Sequence, residues 1–190
     1  VGTTKYSGGA SGTSVSLVKF GTGAGASASP DGIGGAGIFK STDGGASWVQ
    51  LASTVADNSF RVVNRIIVDP NNPNLVIACA NTSTNTFNTA TSGIFRSTDG
   101  GTTWTKMYTS DEPVQQVIAA PGDFSVQYAA VRAVGVLKST DAGATWSATS
   151  SNLKSSGRIE LAVSAKSPLK VAASAEGSLS GEAGADLFIS

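Results

Sequence analysis

Residues 93–104 read Gly93-Ile94-Phe95-Arg96-Ser97-Thr98-Asp99-Gly100-Gly101-Thr102-Thr103-Trp104. The run before the serine is short and apolar, as in a strand. The Thr-Asp-Gly-Gly that follows is turn chemistry. An aspartate side chain accepts backbone N–H bonds inside a turn, and glycine takes positive φ without steric cost. The tryptophan then returns on a second strand, where its indole has a large apolar area to bury. The stretch therefore reads as a tight hairpin.

The same hairpin occurs twice more. Residues 37–48 read Gly37-Ile38-Phe39-Lys40-Ser41-Thr42-Asp43-Gly44-Gly45-Ala46-Ser47-Trp48, and residues 135–146 read Gly135-Val136-Leu137-Lys138-Ser139-Thr140-Asp141-Ala142-Gly143-Ala144-Thr145-Trp146. The serines stand at 41, 97 and 139, so the copies are 56 and 42 residues apart (97 − 41 and 139 − 97). A repeat of roughly 40–50 residues that holds several short strands is the size of one propeller blade.

The segments between the hairpins supply the other strands. Asn64–Val68 reads as an inner strand, Asp69-Pro70-Asn71-Asn72-Pro73-Asn74 as a turn, and Leu75–Ala80 as a second strand leading through a loop into the hairpin. Gln115–Ile118, Pro121-Gly122-Asp123 and Val126–Val131 repeat that order, as do Arg158–Val163, Pro168, Leu169–Ala173 and Asp186–Ser190. Before the first hairpin, Val15–Phe20 reads as a second strand or the end of a first, with little ahead of it to complete a blade.

The recurring residues match the pattern S-x-D-x-G-x-[ST]-W, the Asp-box or BNR repeat. The chain thus resembles the propellers of sialidases, xyloglucanase-type glycoside hydrolases, sortilin-like receptors and secreted bacterial repeat proteins. The resemblance implies an all-β fold, a β-propeller with about three to four four-stranded antiparallel blades and an incomplete ring. The expected blades are 1–58 (partial), 59–110, 111–154 and 155–190 (partial), the chain being a section of a larger propeller whose remaining blades come from the same or another chain. It also implies that each box caps the turn between strands three and four, away from the face that carries the ligand. Ser41, Asp43, Gly45 and Trp48, with Ser97, Asp99, Gly101 and Trp104 and with Ser139, Asp141, Gly143 and Trp146, are then structural and not catalytic.

On the opposite face lie the connections between strands two and three, at 21–36, 81–92 and 174–185. Loops on a rigid scaffold are common carriers of function. Phe87 is the one aromatic residue in them. Inner strands aligned by their following turns place Arg65, Gln116 and Glu160 in equivalent positions. With Phe87 these three are the candidate ligand-face residues.

Composition narrows the functional classes. The chain has 190 residues, 40% of them hydrophobic and only 14% charged, with 23 glycines, which favours a turn-rich β chain over a helical one. Lys plus Arg equals Asp plus Glu at 13 each, so no basic surface is available for nucleic acid. No apolar run approaches the ~18 residues of a membrane span, and the N-terminus Val1-Gly2-Thr3-Thr4 lacks the charged and apolar regions of a signal peptide. There is no histidine, and the single cysteine, Cys79, sits in an apolar run and reads as a small buried hydrophobe. A zinc or iron site has no ligand set, although a structural calcium held by loop carbonyls and an Asp remains compatible. Asn81-Thr82-Ser83 is a glycosylation sequon, relevant in a eukaryotic secretory pathway.

Catalysis finds no motif. A sialidase-like site needs an arginine cluster, a tyrosine nucleophile and acid/base carboxylates, and Phe60-Arg61-Val62-Val63 is a faint echo of that family's Arg-Ile-Pro signature. A xyloglucanase-like site needs two carboxylates across a glycan cleft. The carboxylates outside boxes and turns (Asp31, Asp57, Asp111, Glu112, Glu160, Glu176, Glu182, Asp186) form no recognisable pair. The expectation is a non-catalytic scaffold or binding module of a secreted, cell-surface or envelope protein, with a protein or glycan ligand opposite the boxes. The alternative is part of a glycoside hydrolase whose catalytic residues lie partly outside this chain.

Overall fold

The computed structural model describes residues 3–4, 16–19, 35–55, 57–81, 92–149, 153, 157–165, 170–176 and 185–189. It holds fifteen β-strands and, among the described residues, only two one-turn 3-10 segments, Ala52–Thr54 and Asn58–Phe60. The strands form four sheets, each an antiparallel meander in chain order.

The first sheet is β1 (Thr3–Thr4), β2 (Ser16–Lys19), β3 (Ile38–Ser41) and β4 (Val49–Gln50). The sequence suggested only part of a blade here; the two-residue β1 pairs with β2 and supplies a fourth strand. The second sheet is β5 (Val62–Val68), β6 (Val76–Asn81), β7 (Gly93–Ser97) and β8 (Thr105–Thr109). The third is β9 (Val114–Ala120), β10 (Asp123–Val131), β11 (Gly135–Ser139) and β12 (Ser147–Ala148). The fourth has three strands, β13 (Ile159–Val163), β14 (Val171–Glu176) and β15 (Ala185–Ile189).

The sheets fall into two compact units, Val1–Asp111 and Glu112–Ser190, with two sheets each. In the first unit the core joins Ile38 of sheet one to Val63, Ile66, Val76, Ala78, Ala80 and Phe95 of sheet two. Phe60, on the connection between the sheets, is 1% exposed and fills the middle. Its ring centroid lies 4.8 Å from that of Phe95 and 5.3 Å from that of Trp104. β6 is buried along its whole length, so Val-Ile-Ala-Cys-Ala is apolar on both faces. Cys79 is among these buried residues, as the sequence suggested, and its thiol lies 3.6 Å from the Arg65 carbonyl.

In the second unit Tyr128, Ala130 and Val136 of sheet three pack with Ile159, Leu161, Ala173 and Ala175 of sheet four, and Leu153 from the connection joins them. Small alanines on β14 face larger residues on the neighbouring sheet, which lets the two sheets approach closely.

Candidate functional site

A four-stranded meander has two ends. The turns β5–β6 and β7–β8 lie at one, and β6–β7 at the other. The boxes occupy the first end. Each is built on one serine and one aspartate. In box two the Ser97 hydroxyl donates to Asp99 Oδ1 at 2.7 Å and accepts from the Gly101 N–H at 2.8 Å. Asp99 Oδ1 also accepts the Thr103 N–H at 2.9 Å, and Oδ2 accepts the Thr103 hydroxyl at 2.6 Å. Box three repeats this with Ser139, Asp141, Gly143 and Thr145, the bonds running 2.6–2.9 Å. Box one repeats it with Ser41, Asp43, Gly45 and Ser47.

These bonds go to the charged carboxylate and hold its pKa low. Asp99 and Asp141 stand at about 2, chiefly through the Thr103 and Thr145 hydroxyls and then their N–H groups. Asp43 is pushed down further by Ser47. A carboxylate committed in this way is a poor proton carrier at neutral pH, which supports the structural reading of all three.

The turn itself requires two successive left-handed residues. Gly44 and Gly45 have φ +73 and +97°, Gly100 and Gly101 +69 and +92°. In box three the first of the pair is Ala142, at φ +55°. The turns of boxes two and three are tied to their own blades at the same point: the Gly100 N–H donates to Asn74 O at 2.9 Å, and the Ala142 N–H to Ser125 O at 3.0 Å. Box two is also gripped by the preceding blade, for Lys40 Nζ donates to Gly100 O at 3.2 Å and the Ser53 hydroxyl to Gly101 O at 2.6 Å. The tryptophans differ in their use. Trp104 packs on the Phe60 cluster, whereas the Trp146 indole N–H turns back to Gly143 O at 3.1 Å.

The inner-strand trio is equivalent in register. Arg65 pairs with Cys79, which pairs with Ile94; Gln116 pairs with Ala130, then Val136; Glu160 pairs with Ser174, then Leu187. Ile94 and Val136 each sit one residue into their box strand, and Leu187 two residues into β15. Their environments nonetheless diverge.

Gln116 is buried and bridges to sheet four: its side-chain amide donates to Leu161 O at 3.4 Å and accepts the Leu161 N–H. Gln115 does the same one step away, donating to Gly157 O at 3.1 Å and accepting the Ile159 N–H at 2.7 Å. Two consecutive side chains reach the same strand because the register skips Gln115 between Val114 and Gln116. This bulge breaks the alternation of faces. The two amides therefore act as a substitute strand along the edge of β13 that β14 leaves unpaired.

β5 carries the same bulge at Asn64, beside Arg65. Arg65 is exposed, while Glu160 is partly buried and pairs with Arg158. The trio thus shares a position but not a task, and Gln116 is committed to the sheet-to-sheet clasp. Phe87 and most of the three long connections lie outside the described residues.

The end opposite the boxes carries, in the second unit, charges of which sequence reading singled out only Glu160 as a ligand-face candidate. Arg132, in the β10–β11 turn, pairs with Glu112 at 2.8 Å. Arg158 pairs with Glu160, and its N–H donates to Glu176. Arg61 is exposed at the start of β5, and the Phe60 beside it is core. The signal for this grouping was topological: these residues flank strand starts of one polarity. Asn81 of the sequon is 7% exposed, so its amide is not presented for glycosylation. Among the described residues no group of three or more His, Cys, Asp or Glu could hold a metal, and no helix is long and apolar enough to cross a membrane.

Repeated antiparallel meanders closed by boxed turns define the class: these sheets are β-propeller blades. Residues 95–106, across the second box, match the family described as BNR/Asp-box repeat, and boxes one and three repeat its hydrogen bonds. Similar solved structures are an ancestral GH74 enzyme (21% identity, TM-score 0.50, covering 82% of this chain and 23% of that one) and the GH74 xyloglucanase from Xanthomonas campestris (15%, 0.52, 80% and 25%). A third is YCF48 bound to D1 peptide, at 18% identity and TM-score 0.50, covering 80% of this chain and 48% of that one. The chain therefore spans about a quarter of the GH74 structures and about half of YCF48. At these identities the likeness is one of fold. No curated protein matches the sequence.

Proposed function

We propose that this chain is a binding section of an Asp-box propeller whose ligand, a protein or a glycan, sits at the end of the blades opposite the boxes. The observation that carries this reading is the division of labour between the two ends. At the box end, Asp43, Asp99 and Asp141 are consumed by hydrogen bonds within their own turns. At the other end of the second unit's sheets stand Arg132, Arg158, Glu112, Glu160 and Glu176, as polar groups able to orient a ligand. The peptide complex of YCF48 is a precedent for ligand binding by a propeller of this fold. Placement of the protein outside the cell or in its envelope belongs to the same reading.

The second reading, a section of a glycoside hydrolase, is favoured by the GH74 neighbours. Xyloglucan and other β-glucans incubated with the full-length protein discriminate between them. The binding reading expects retention without turnover, weakened by Arg132→Ala or Arg158→Ala. Hydrolysis abolished by a carboxylate substitution within residues 1–190 would replace it with the second reading.

A further inference from the structure

Boxes one and two place the dipeptide Asp-Gly in a turn, as Asp43–Gly44, both exposed, and as Asp99–Gly100, where Asp99 is exposed and Gly100 is buried. This is the pairing in which aspartate rearranges most readily, because glycine offers its backbone nitrogen without a shielding side chain. The nitrogen bonds to the carboxyl carbon, the C–OH bond breaks, and water leaves with that hydroxyl and the N–H proton. A second water then opens the succinimide at either carbonyl. Opening at the α carbonyl leaves isoaspartate, with the main chain rerouted through the side chain.

Such a product cannot hold the box. The extra backbone methylene displaces the two left-handed residues at 100 and 101 and removes the carboxylate that Ser97 and Thr103 grip.

Ring closure needs a protonated carboxyl group swung onto an available nitrogen. The second box withholds each requirement. Both oxygens of Asp99 are engaged, Oδ1 by Ser97 and the Thr103 N–H and Oδ2 by the Thr103 hydroxyl. The Gly100 N–H is donated to Asn74 O at 2.9 Å, and Lys40 Nζ holds the Gly100 carbonyl at 3.2 Å. With its pKa near 2 in place of 3.8, Asp99 is protonated roughly tenfold or more less often at neutral pH than an ordinary aspartate.

We propose that the hydroxyl residue four positions after the box aspartate, Thr103 and its counterpart Ser47, is a chemical guard that anchors the carboxylate away from the following glycine nitrogen and prevents isomerisation of Asp99–Gly100 and Asp43–Gly44. Box three is a built-in comparison. Thr145 makes the same clamp on Asp141, but the next residue is Ala142, whose methyl group itself hinders attack.

The test ages the full-length protein at neutral pH and physiological temperature, with Thr103→Val, Thr103→Ser and Thr145→Val beside it, and locates isoaspartate by peptide mapping. Thr103→Val preserves side-chain shape, so the blade keeps its packing. The native protein is expected to keep aspartate at 43 and 99, as is Thr103→Ser. Thr103→Val is expected to accumulate isoaspartate at 99 at least several-fold faster with no change at 43, and Thr145→Val none at 141. Three results would overturn the proposal: isoaspartate at 99 in the native protein, no increase at 99 in Thr103→Val, or a parallel rise at 43 and 99, which marks general unfolding instead of a lost guard.

Discussion

At the scale of single residues, the boxes make stability depend on pH and on backbone handedness. The folded-state pKa values of Asp43, Asp99 and Asp141 all lie below the 3.8 of a free aspartate. The unfolded chain therefore binds more protons in that window, so the clamps' stabilisation is complete above about pH 4 and drains away as pH falls toward 2. Thermal melts across this range should show a falling limb, and Asp99→Asn should lower stability at neutral pH while flattening that limb. Handedness gives a paired prediction. Ala142 occupies a left-handed position at φ +55° where the other boxes have glycine. That conformation costs an alanine roughly 1–2 kcal/mol, and a glycine loses about 0.5–1 kcal/mol of chain entropy, so Ala142→Gly should stabilise by about 0.5–1 kcal/mol. Gly100→Ala should destabilise by about 0.5–1 kcal/mol on the same balance, and by somewhat more because Lys40 Nζ, 2.6 Å from the added Cβ, must withdraw from the Gly100 carbonyl. Denaturant titration of both variants checks the opposite signs.

At the scale of elements, the edge of β13 is the most exacting feature. A strand edge presents unpaired N–H and C=O groups, and here Gln115 and Gln116 bond the Gly157 carbonyl, the Ile159 N–H and both groups of Leu161. Gln116→Ala leaves the Leu161 N–H and carbonyl without their side-chain partner in a buried setting, and should cost about 1–3 kcal/mol. Hydrogen exchange at the Leu161 amide should speed up more than at Leu161's neighbours bonded to β14. The box tryptophan of blade two makes the complementary apolar contribution. Trp104→Ala removes the ring that covers Phe60 and should cost about 3 kcal/mol by equilibrium unfolding.

At the scale of the molecule, each unit has a core of its own, and in the first that core is a join between two sheets. Phe60 belongs to neither sheet, yet it is part of the buried cluster that joins Ile38 of the first to the second. Phe60→Ala should cost about 3–5 kcal/mol, and amide protection should fall together in β3 and β6 because one side chain supports both.

The repeat made the blades legible before any coordinates. Ser-x-Asp-x-Gly at three places dictates three hairpins by local hydrogen bonding alone, and the inner and second strands followed from short apolar runs between Pro/Asn turns. The first blade was harder to read, because a two-residue β1 carries almost no pattern of its own and exists only by pairing with β2. The ligand-face trio was legible as a register position and not as a function. Arg65, Gln116 and Glu160 are aligned by sequence spacing, but what a side chain meets depends on a bulge and on the neighbouring sheet. A one-residue skip at Gln115 turned two polar residues into a clasp on β13.

The sequence by itself determined the three box hairpins, since their hydrogen bonds rest on contacts within four residues of chain. Tertiary structure alone decided which polar side chains are spent between sheets, that Asn81 is buried, and that Arg132 and Arg158 gather carboxylates at the end opposite the boxes. The Arg132–Glu112, Arg158–Glu176 and Gln116–Leu161 contacts join residues 20, 18 and 45 positions apart, and Asn81 is buried by packing, so no local pattern encodes them.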